Sequence, residues 1–182
     1  METRNLGNTG FEISRIVFGC GAVGGVIFKP EMTESVEAYF NILNPSAVKK
    51  VPKGFAAQDF AELATHAKEQ GLSVLNIRVL AAGALAGTVL DEKSAGIVNG
   101  AGGQAENLRV RRVSEELGID VQELYSLALR FAFMRAEIDG VLIGFSTPDH
   151  VDQAIAELSA PQLPEDTLRR VEALYASPLF AG

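Results

Sequence analysis

Cysteine is nearly absent: Cys20 is the only one in 182 residues, so no internal disulfide can form. A zinc site of the usual cysteine-rich kind is excluded for the same reason. No run approaches the roughly 18 apolar residues that a membrane span requires, and residues 1–5 carry no apolar signal core. We therefore expect a soluble, unexported protein of the reducing cytoplasm, with no membrane partner.

Positive charge is in short supply as well. Lysine and arginine number 16 against 23 aspartate and glutamate, which gives a formal net charge of -7 at pH 7. That charge repels nucleic-acid phosphates and anionic lipid head groups, so we expect no nucleic-acid partner. The balance of 47% hydrophobic and 21% charged residues is that of one ordinary globular domain, and it excludes a disordered or fibrous chain.

Glycine, by contrast, is plentiful. Most of the 18 glycines lie between Gly7 and Gly25 or between Gly71 and Gly103, and they exceed what turns alone require. Glycine lets backbone approach a ligand closely, so these two stretches are the first candidates for function.

Hydrophobic patterning predicts alternating strands and helices. Polar and apolar residues alternate around the turn formers Gly7 to Gly10, which predicts a β-hairpin over residues 4–13. The further strands are predicted at 16–18, 35–41, 72–80 and 140–143, and the helices at 55–70, between 103 and 120, at 121–134, from 148 and at 168–175. This spacing is typical of βαβ units, so we expect an α/β fold with about four parallel strands, whereas a closed (β/α)8 barrel uses eight.

Several residues mark helix boundaries. Gly71 occupies the C′ position after the first predicted helix. Asp120, with Glu123 three residues later, forms a capping box with aspartate as the N-cap. Thr147 is expected to cap the helix that begins at Pro148.

Residues Gly19 to Gly24 match the pattern G-x-G-x-x-G directly after a predicted strand. A Rossmann dinucleotide site requires this pattern to open a helix, whereas residues 25–30 offer β-branched residues, a glycine and a proline. A glycine-rich turn that passes close to a ligand or to packed backbone explains the pattern better.

Two further segments suit a ligand. Leu80 to Gly87 begins a long loop of small residues over which backbone can approach a bulky group, although a flexible linker has the same composition. Gly144 to Thr147 ends the last strand, and the helix that follows presents backbone N–H groups to an anion or to water.

The order of these segments resembles the aldo-keto reductase family. Arg4 to Gly19 resembles the family's N-terminal hairpin and first barrel strand, and Val36 to Asn44 resembles its sixth strand. Leu80 to Gly87 is similar to the loop after its seventh strand, and Val141 to Ala154 to its eighth strand and cofactor-binding helix. By this resemblance residues 1–182 form a single incomplete barrel domain, with the hairpin and first strand in 1–28 and the second half of the barrel in 31–182.

The resemblance implies reduction of aldehydes or ketones with NADPH or NADH on a (β/α)8 barrel. It places Gly19 and Cys20 near the nicotinamide. It assigns the pyrophosphate to Leu80, Ala82, Gly83 and Leu85, and the adenosine end to Gly144, Phe145, Ser146, His150 and Gln153. A glycine-rich loop and a helix N-terminus are both suited to phosphate, which agrees with the last two groups.

The departures from the family concern catalysis. The sequence passes from first-strand material at Phe28 to sixth-strand material at Ser35, as though strands two to five had been excised. The family's tetrad of aspartate, tyrosine, lysine and histidine has no counterpart here, so no catalytic residue is assigned and the proton donor for carbonyl reduction is missing. Glu37 stands where many members have a glutamine that holds the nicotinamide carboxamide. Ser146 replaces an arginine that often meets the 2′-phosphate.

The remaining reactive side chains have structural explanations. We expect packing roles for Tyr39, Tyr125 and Tyr175, which all lie within predicted helices or strands. His66 lies in the middle of a predicted helix, where a solvated or packed histidine is expected. Cys20 is expected to behave as a small packed hydrophobe.

Three functions remain open for this chain. It can be a reductase of residual or altered activity on a small carbonyl substrate, a non-catalytic dinucleotide-binding remnant, or a fold relic that serves as an interaction module. A sheet of four strands also leaves two open edges, which predicts a homo-oligomer in which two halves close an eight-stranded barrel.

Overall fold

The structure, a computed structural model, describes residues 3–18, 35–55, 57–91, 102–177 and 180. It begins with the predicted hairpin, in which strand β1 (Thr3–Asn5) pairs antiparallel with strand β2 (Glu12–Ser14). The hairpin turn packs closely against a later strand: a Cβ on Gly7 would lie 2.6 Å from Ser73 Oγ, and Gly7 has a φ of +52°. Only glycine fits this turn without displacing its neighbour.

Four parallel strands form the central sheet. They are β3 (Ile16–Phe18), β4 (Ser35–Tyr39), β5 (Ser73–Ile77) and β6 (Gly140–Ile143), in the spatial order β3-β6-β5-β4. This confirms the predicted parallel α/β arrangement, although β4 and β5 end earlier than predicted. Among the described strands the sheet is open and does not close into a barrel.

Within the described residues, five α-helices follow or separate these strands. They are α1 (Leu63–Glu69), α2 (Gly102–Leu117), α3 (Val121–Phe133), α4 (Pro148–Ser159) and α5 (Glu165–Leu174), and a 3₁₀ segment covers Ala81–Ala86. In the described part of the chain, none of the helices is long and apolar enough to cross a bilayer. The core lies between the helices and one face of the sheet, where it includes Ala38, Val74, Phe131 and Val141.

The first helix is much shorter than the predicted 55–70. Ala61 and Glu62 adopt left-handed conformations with φ of 50° and 57°, so helical geometry begins only at Leu63. The helix ends as predicted at Gly71, whose φ is +75°. Paired hydrogen bonds from Gly71 N to Lys68 O and from Leu72 N to Ala67 O form a Schellman motif.

The predicted starts of α3 and α4 agree with the structure. Asp120 Oδ1 accepts hydrogen bonds from the backbone N of Gln122 and Glu123, at 2.8 and 2.9 Å. Glu123 Oε2 in turn accepts from Asp120 N at 3.0 Å, which completes the capping box. Thr147 occupies the N-cap of α4 as predicted, but its side chain makes no capping hydrogen bond.

Candidate functional site

The candidate site lies where β5 and β6 end. These strands are parallel neighbours, with Leu75 opposite Gly140 and Asn76 opposite Val141. Their carboxyl ends therefore open at the same edge of the sheet, which is where barrels and open parallel sheets carry their ligands. The two predicted ligand segments, Leu80 to Gly87 and Gly144 to Thr147, begin at this edge.

The segment after β5 is a fixed turn. Ala81 and Ala82 have φ of 49° and 59°, and Gly83 has a φ of 94°. Hydrogen bonds from Gly83 N to Leu80 O (2.9 Å) and from Thr88 N to Gly83 O (3.0 Å) hold it, so it is not the flexible linker that its composition also allows. A left-handed conformation at a non-glycine residue costs on the order of 1 kcal/mol or more, and such strain is concentrated at functional sites.

The four pyrophosphate candidates divide into an exposed and a buried set. Ala82 is exposed and Gly83 is half-buried at the surface of the turn. Leu80 is half-buried against the core, and Leu85 lies wholly within it. The structure thus places the backbone of Ala82 and Gly83 at the surface, while Leu85 anchors the turn from below.

The segment after β6 is open and polar. A Cβ on Gly144 would meet no atom within 4 Å, and Phe145 packs its ring against the core. Ser146 and His150 come together: the backbone N of Ser146 donates to His150 Nδ1 at 3.5 Å. Gln153 lies one turn further along α4 and is exposed. The five adenosine candidates therefore share one end of α4.

Buried asparagines hold the neighbouring rim, a feature that the sequence analysis did not anticipate. Asn76 Oδ1 accepts from Phe40 N at 3.0 Å, which ties β5 to the end of β4. Asn41 Nδ2 donates to Arg78 O at 2.8 Å, and Asn41 Oδ1 accepts from Leu43 N at 2.9 Å. The signal for this network was polar residues within an otherwise apolar stretch, because buried amides need partners.

A third buried asparagine extends this network. Asn44 Nδ2 donates to Gln58 O, and Asn44 Oδ1 accepts from the backbone N and the hydroxyl of Ser46. Residues 40–48 are all buried. The rim after β4 is therefore a packed scaffold, and it fixes the start of the turn that carries Ala82 and Gly83.

None of the three tyrosines in the chain is placed like an activated proton donor. Tyr39 is buried and stacks on Phe60 with ring centroids 5.3 Å apart. Burial, together with the Glu157 carboxylate, raises the pKa of Tyr125. Burial also raises the pKa of Tyr175, although the Arg135 charge opposes the change. A proton donor in carbonyl reduction needs access to the substrate oxygen and a pKa near the working pH.

Lys49 lies beside Tyr175, but the pair does not form a catalytic dyad. Lys49 Nζ is 5.4 Å from the centroid of the Tyr175 ring and forms an ion pair with Glu172. The Tyr175 hydroxyl is buried and has no hydrogen-bond partner among the described residues. The lysine contacts the ring face, so it does not promote loss of the hydroxyl proton.

Other sequence candidates lie apart from this edge or cannot be placed. His66 is exposed on α1, and Glu37 is exposed on β4. Gly19 and Cys20, which the resemblance places near the nicotinamide, lie outside the described residues, as does the whole G-x-G-x-x-G segment.

The fold and this edge define a barrel-type α/β protein whose candidate site lies at the carboxyl ends of its strands. Residues 34–176 match the sequence model of the Aldo/keto reductase family. The chain therefore belongs to the aldo/keto reductase family, as the sequence resemblance indicated. The curated proteins include no significant match to it.

Solved structures show the same fold. An aldo-keto reductase from Bacillus halodurans, in its holo form, superposes with a TM-score of 0.55 at 19% identity, over 77% of this chain and 42% of that one. The glycerol dehydrogenase of Gluconobacter oxydans superposes with a TM-score of 0.52 at 15% identity, over 82% of this chain and 47% of that one. The chain thus spans less than half the length of either relative, and it carries part of their barrel.

Proposed function

We propose that this chain binds a nicotinamide dinucleotide, NADPH or NADH, at the edge where β5 and β6 end. One observation carries the proposal: adjacent parallel strands deliver an ordered turn with exposed backbone at Ala82 and Gly83, and the N-terminal end of α4, to the same edge. Gly83 N–H already bonds Leu80 O, so the turn offers close approach of its backbone, and the first-turn N–H groups of α4 are suited to a pyrophosphate. Membership in a reductase family supports the same ligand.

The residues at this edge fit such a ligand. Gly144 faces open space, because a Cβ added there would have no protein atom within 4 Å. A ligand can therefore approach its backbone. Thr147 leaves the first-turn N–H groups of α4 without a side-chain cap. Ser146, His150 and Gln153 offer exposed polar groups for the adenosine end. When bound, the cofactor supplies a hydride for reduction of an aldehyde or ketone.

The placement of the tyrosines favours a second function, in which the chain holds the dinucleotide without turning it over. Reduction of a carbonyl requires a proton for the developing alkoxide. Tyr125 and Tyr175 both have raised pKa values, and Tyr39 is stacked in the core. A module that only holds the dinucleotide requires just the edge after β5 and β6. Reduction of a small carbonyl substrate would also require a proton donor from elsewhere.

Titration with NADPH and then with NADH, followed by heat and by the fluorescence of the reduced nicotinamide, tests the proposal. The informative variant is Gly144→Asp, because a Cβ at this position meets no protein atom within 4 Å and the carboxylate brings a negative charge to the proposed site of the phosphates. Ala156→Asp adds the same charge to an exposed position further along α4 and is the control.

We expect saturable binding by the natural chain and by Ala156→Asp. Gly144→Asp should weaken binding at least about tenfold, as expected for a like charge beside a phosphate. No heat and no fluorescence change with either cofactor would refute the proposal. Binding followed by oxidation of the cofactor with generic aldehydes would favour the reductase over the holding module.

A further inference from the structure

One cation, Arg78, lies in the segments that form the proposed site. It follows directly after β5, at the edge where the two ligand segments begin. Residues 78–87 and 144–159, which cover both segments and α4, contain no other lysine or arginine, and α4 itself contributes three carboxylates. Any cation that offsets a bound phosphate from within these segments is therefore Arg78.

The Arg78 side chain is half-buried and has no partner. Its guanidinium forms no hydrogen bond, ion pair or ring contact in the part of the chain that the structure describes. The other described arginines that are buried or half-buried each have at least one interaction: Arg4, Arg15, Arg109, Arg130 and Arg135. Partial removal of a guanidinium from water costs free energy unless it is paired, so an anionic ligand would complete this arrangement.

The backbone of Arg78 is fixed by the buried scaffold. Its carbonyl oxygen accepts hydrogen bonds from Asn41 Nδ2 at 2.8 Å and from Ala81 N at 2.9 Å. Its φ is +60°, a left-handed conformation that residues other than glycine rarely adopt. Such strain is concentrated at functional sites. The side chain therefore starts from a fixed position, which reduces the cost of ordering it around a ligand.

The strand register brings Arg78 close to the segment after β6. Asn76 lies opposite Val141, so the same register places Arg78 level with Ile143, one residue before Gly144. Neighbouring strands lie about 4.8 Å apart, and an arginine side chain is long enough to span that distance. Arg78 can therefore contact a phosphate that also lies over Gly144 and the first turn of α4.

We propose that Arg78 binds the pyrophosphate of the dinucleotide, between the turn after β5 and the first turn of α4. This inference rests on the proposed function and names the side chain that supplies the charge there, whereas the sequence resemblance assigned no charged residue to the pyrophosphate. The guanidinium donates paired hydrogen bonds to phosphate oxygens, a geometry that suits arginine better than lysine. NADPH and NADH share the pyrophosphate, so Arg78 contributes equally to the binding of both.

Three variants test this role by calorimetric titration of the full chain with NADPH, NADH and inorganic pyrophosphate. Arg78→Met removes the charge and should weaken the binding of both cofactors at least about tenfold. Arg78→Lys keeps the charge but not the paired donors, so its loss should be smaller. Arg112→Met makes the same charge change at an exposed position on α2 and should leave all three affinities unchanged.

Thermal unfolding without ligand separates binding from a structural role. Because the Arg78 side chain has no partner in the described part of the chain, Arg78→Met should leave Tm unchanged. A lowered Tm together with lost binding, in Arg78→Met and Arg78→Lys alike, would mean that the residue maintains the fold, and it would overturn the proposal.

The titrations also distinguish this proposal from the proposed function. Cofactor binding that Arg78→Met leaves unchanged overturns the role of Arg78 alone. A loss confined to NADPH overturns it as well, because only NADPH carries a 2′-phosphate. Binding of pyrophosphate that depends on Arg78, without binding of either cofactor, refutes the proposed function but supports an anion site at Arg78. Absence of binding for all three ligands overturns both.

Discussion

The segments that follow β4 and β6, here called the exits of these strands, belong to one sheet but differ in burial. Residues 40–48, after β4, are buried, and Asn41 and Asn44 satisfy their backbone groups. Residues 144–150, after β6, are mostly exposed, and a hydrogen bond joins Ser146 N to His150 Nδ1. The first exit is a scaffold and the second is accessible to a ligand.

The turn after β5 combines both characters. Leu85 is fully buried, whereas Ala82, three residues earlier, is exposed in a left-handed conformation. Asn41 of the scaffold holds the start of this turn through Arg78 O. Candidate binding residues such as Ala82 and supporting residues such as Leu85 therefore lie within a few positions of each other in the chain. Changes in the scaffold should therefore reduce stability, and changes in the accessible exit should reduce binding alone.

The largest expected effect on stability is at Leu85. Leu85→Ala removes a fully buried side chain beneath the turn and should cost about 2–5 kcal/mol of the free energy of unfolding. Leu108→Ala, at a side chain that is 46% exposed, should cost less than about 1 kcal/mol. Urea denaturation measures both values. Similar costs at the two positions would show that the turn is not anchored by Leu85.

Asn41→Ala should have the next largest effect. The change leaves Leu43 N and Arg78 O without their side-chain partner in a buried region, at a cost of about 2–4 kcal/mol. Ser146→Ala changes an exposed side chain at the other exit and should cost less than about 0.5 kcal/mol. If Ser146→Ala proved the more destabilising change, the division into scaffold and accessible exit would be wrong.

A smaller effect depends on pH and concerns Glu172 on α5, which forms ion pairs with Lys49 and Arg135. Burial raises the pKa of Glu172, but hydrogen bonds and charges from Lys49 and Arg135 outweigh it and hold the pKa below 4.5. A lowered pKa in the folded state means that the stabilisation is complete above pH 4.5 and is lost as the pH falls through the lower value. The stability difference between the natural chain and Glu172→Gln should therefore shrink below pH 4.5. A difference that stays constant on acidification would contradict the ion-pair assignment.

The smallest effect tests backbone strain in the turn. Ala82→Gly relieves a left-handed alanine with φ of 59° and should change stability by between zero and a gain of about 1 kcal/mol. Ala156→Gly, at an exposed position within α4, should instead lose about 0.5–1 kcal/mol. Equal losses in thermal or urea unfolding would mean that Ala82 carries no strain.

Periodicity and local signals were sufficient for most of the framework. Short apolar runs located β3 and β6, and the capping box at Asp120 located the start of α3, because these features depend on neighbouring residues alone. The extent of α1 could not be read from the sequence. Ala61 and Glu62 carry no turn signal, and their left-handed conformations accompany contacts with distant residues, such as the hydrogen bond from Glu62 N to Ser46 O.

The sequence predicted which segments form the candidate site, but it did not predict the role of each residue within them. The two ligand segments do begin at one edge of the sheet, because the parallel order of β5 and β6 follows from βαβ topology. The burial of Leu85 and the role of Asn41 depend on packing between elements far apart in sequence. Local sequence therefore indicates where the backbone can approach a ligand, but not which side chains support it.

Hydrogen exchange with and without saturating NADPH tests the central proposal most directly, because it locates the ligand on the chain. Binding at the edge after β5 and β6 should slow exchange in residues 78–87 and 144–153 and leave the scaffold of residues 40–48 unchanged. Protection confined to other parts of the chain, or no change anywhere at saturating cofactor, would contradict the proposed site.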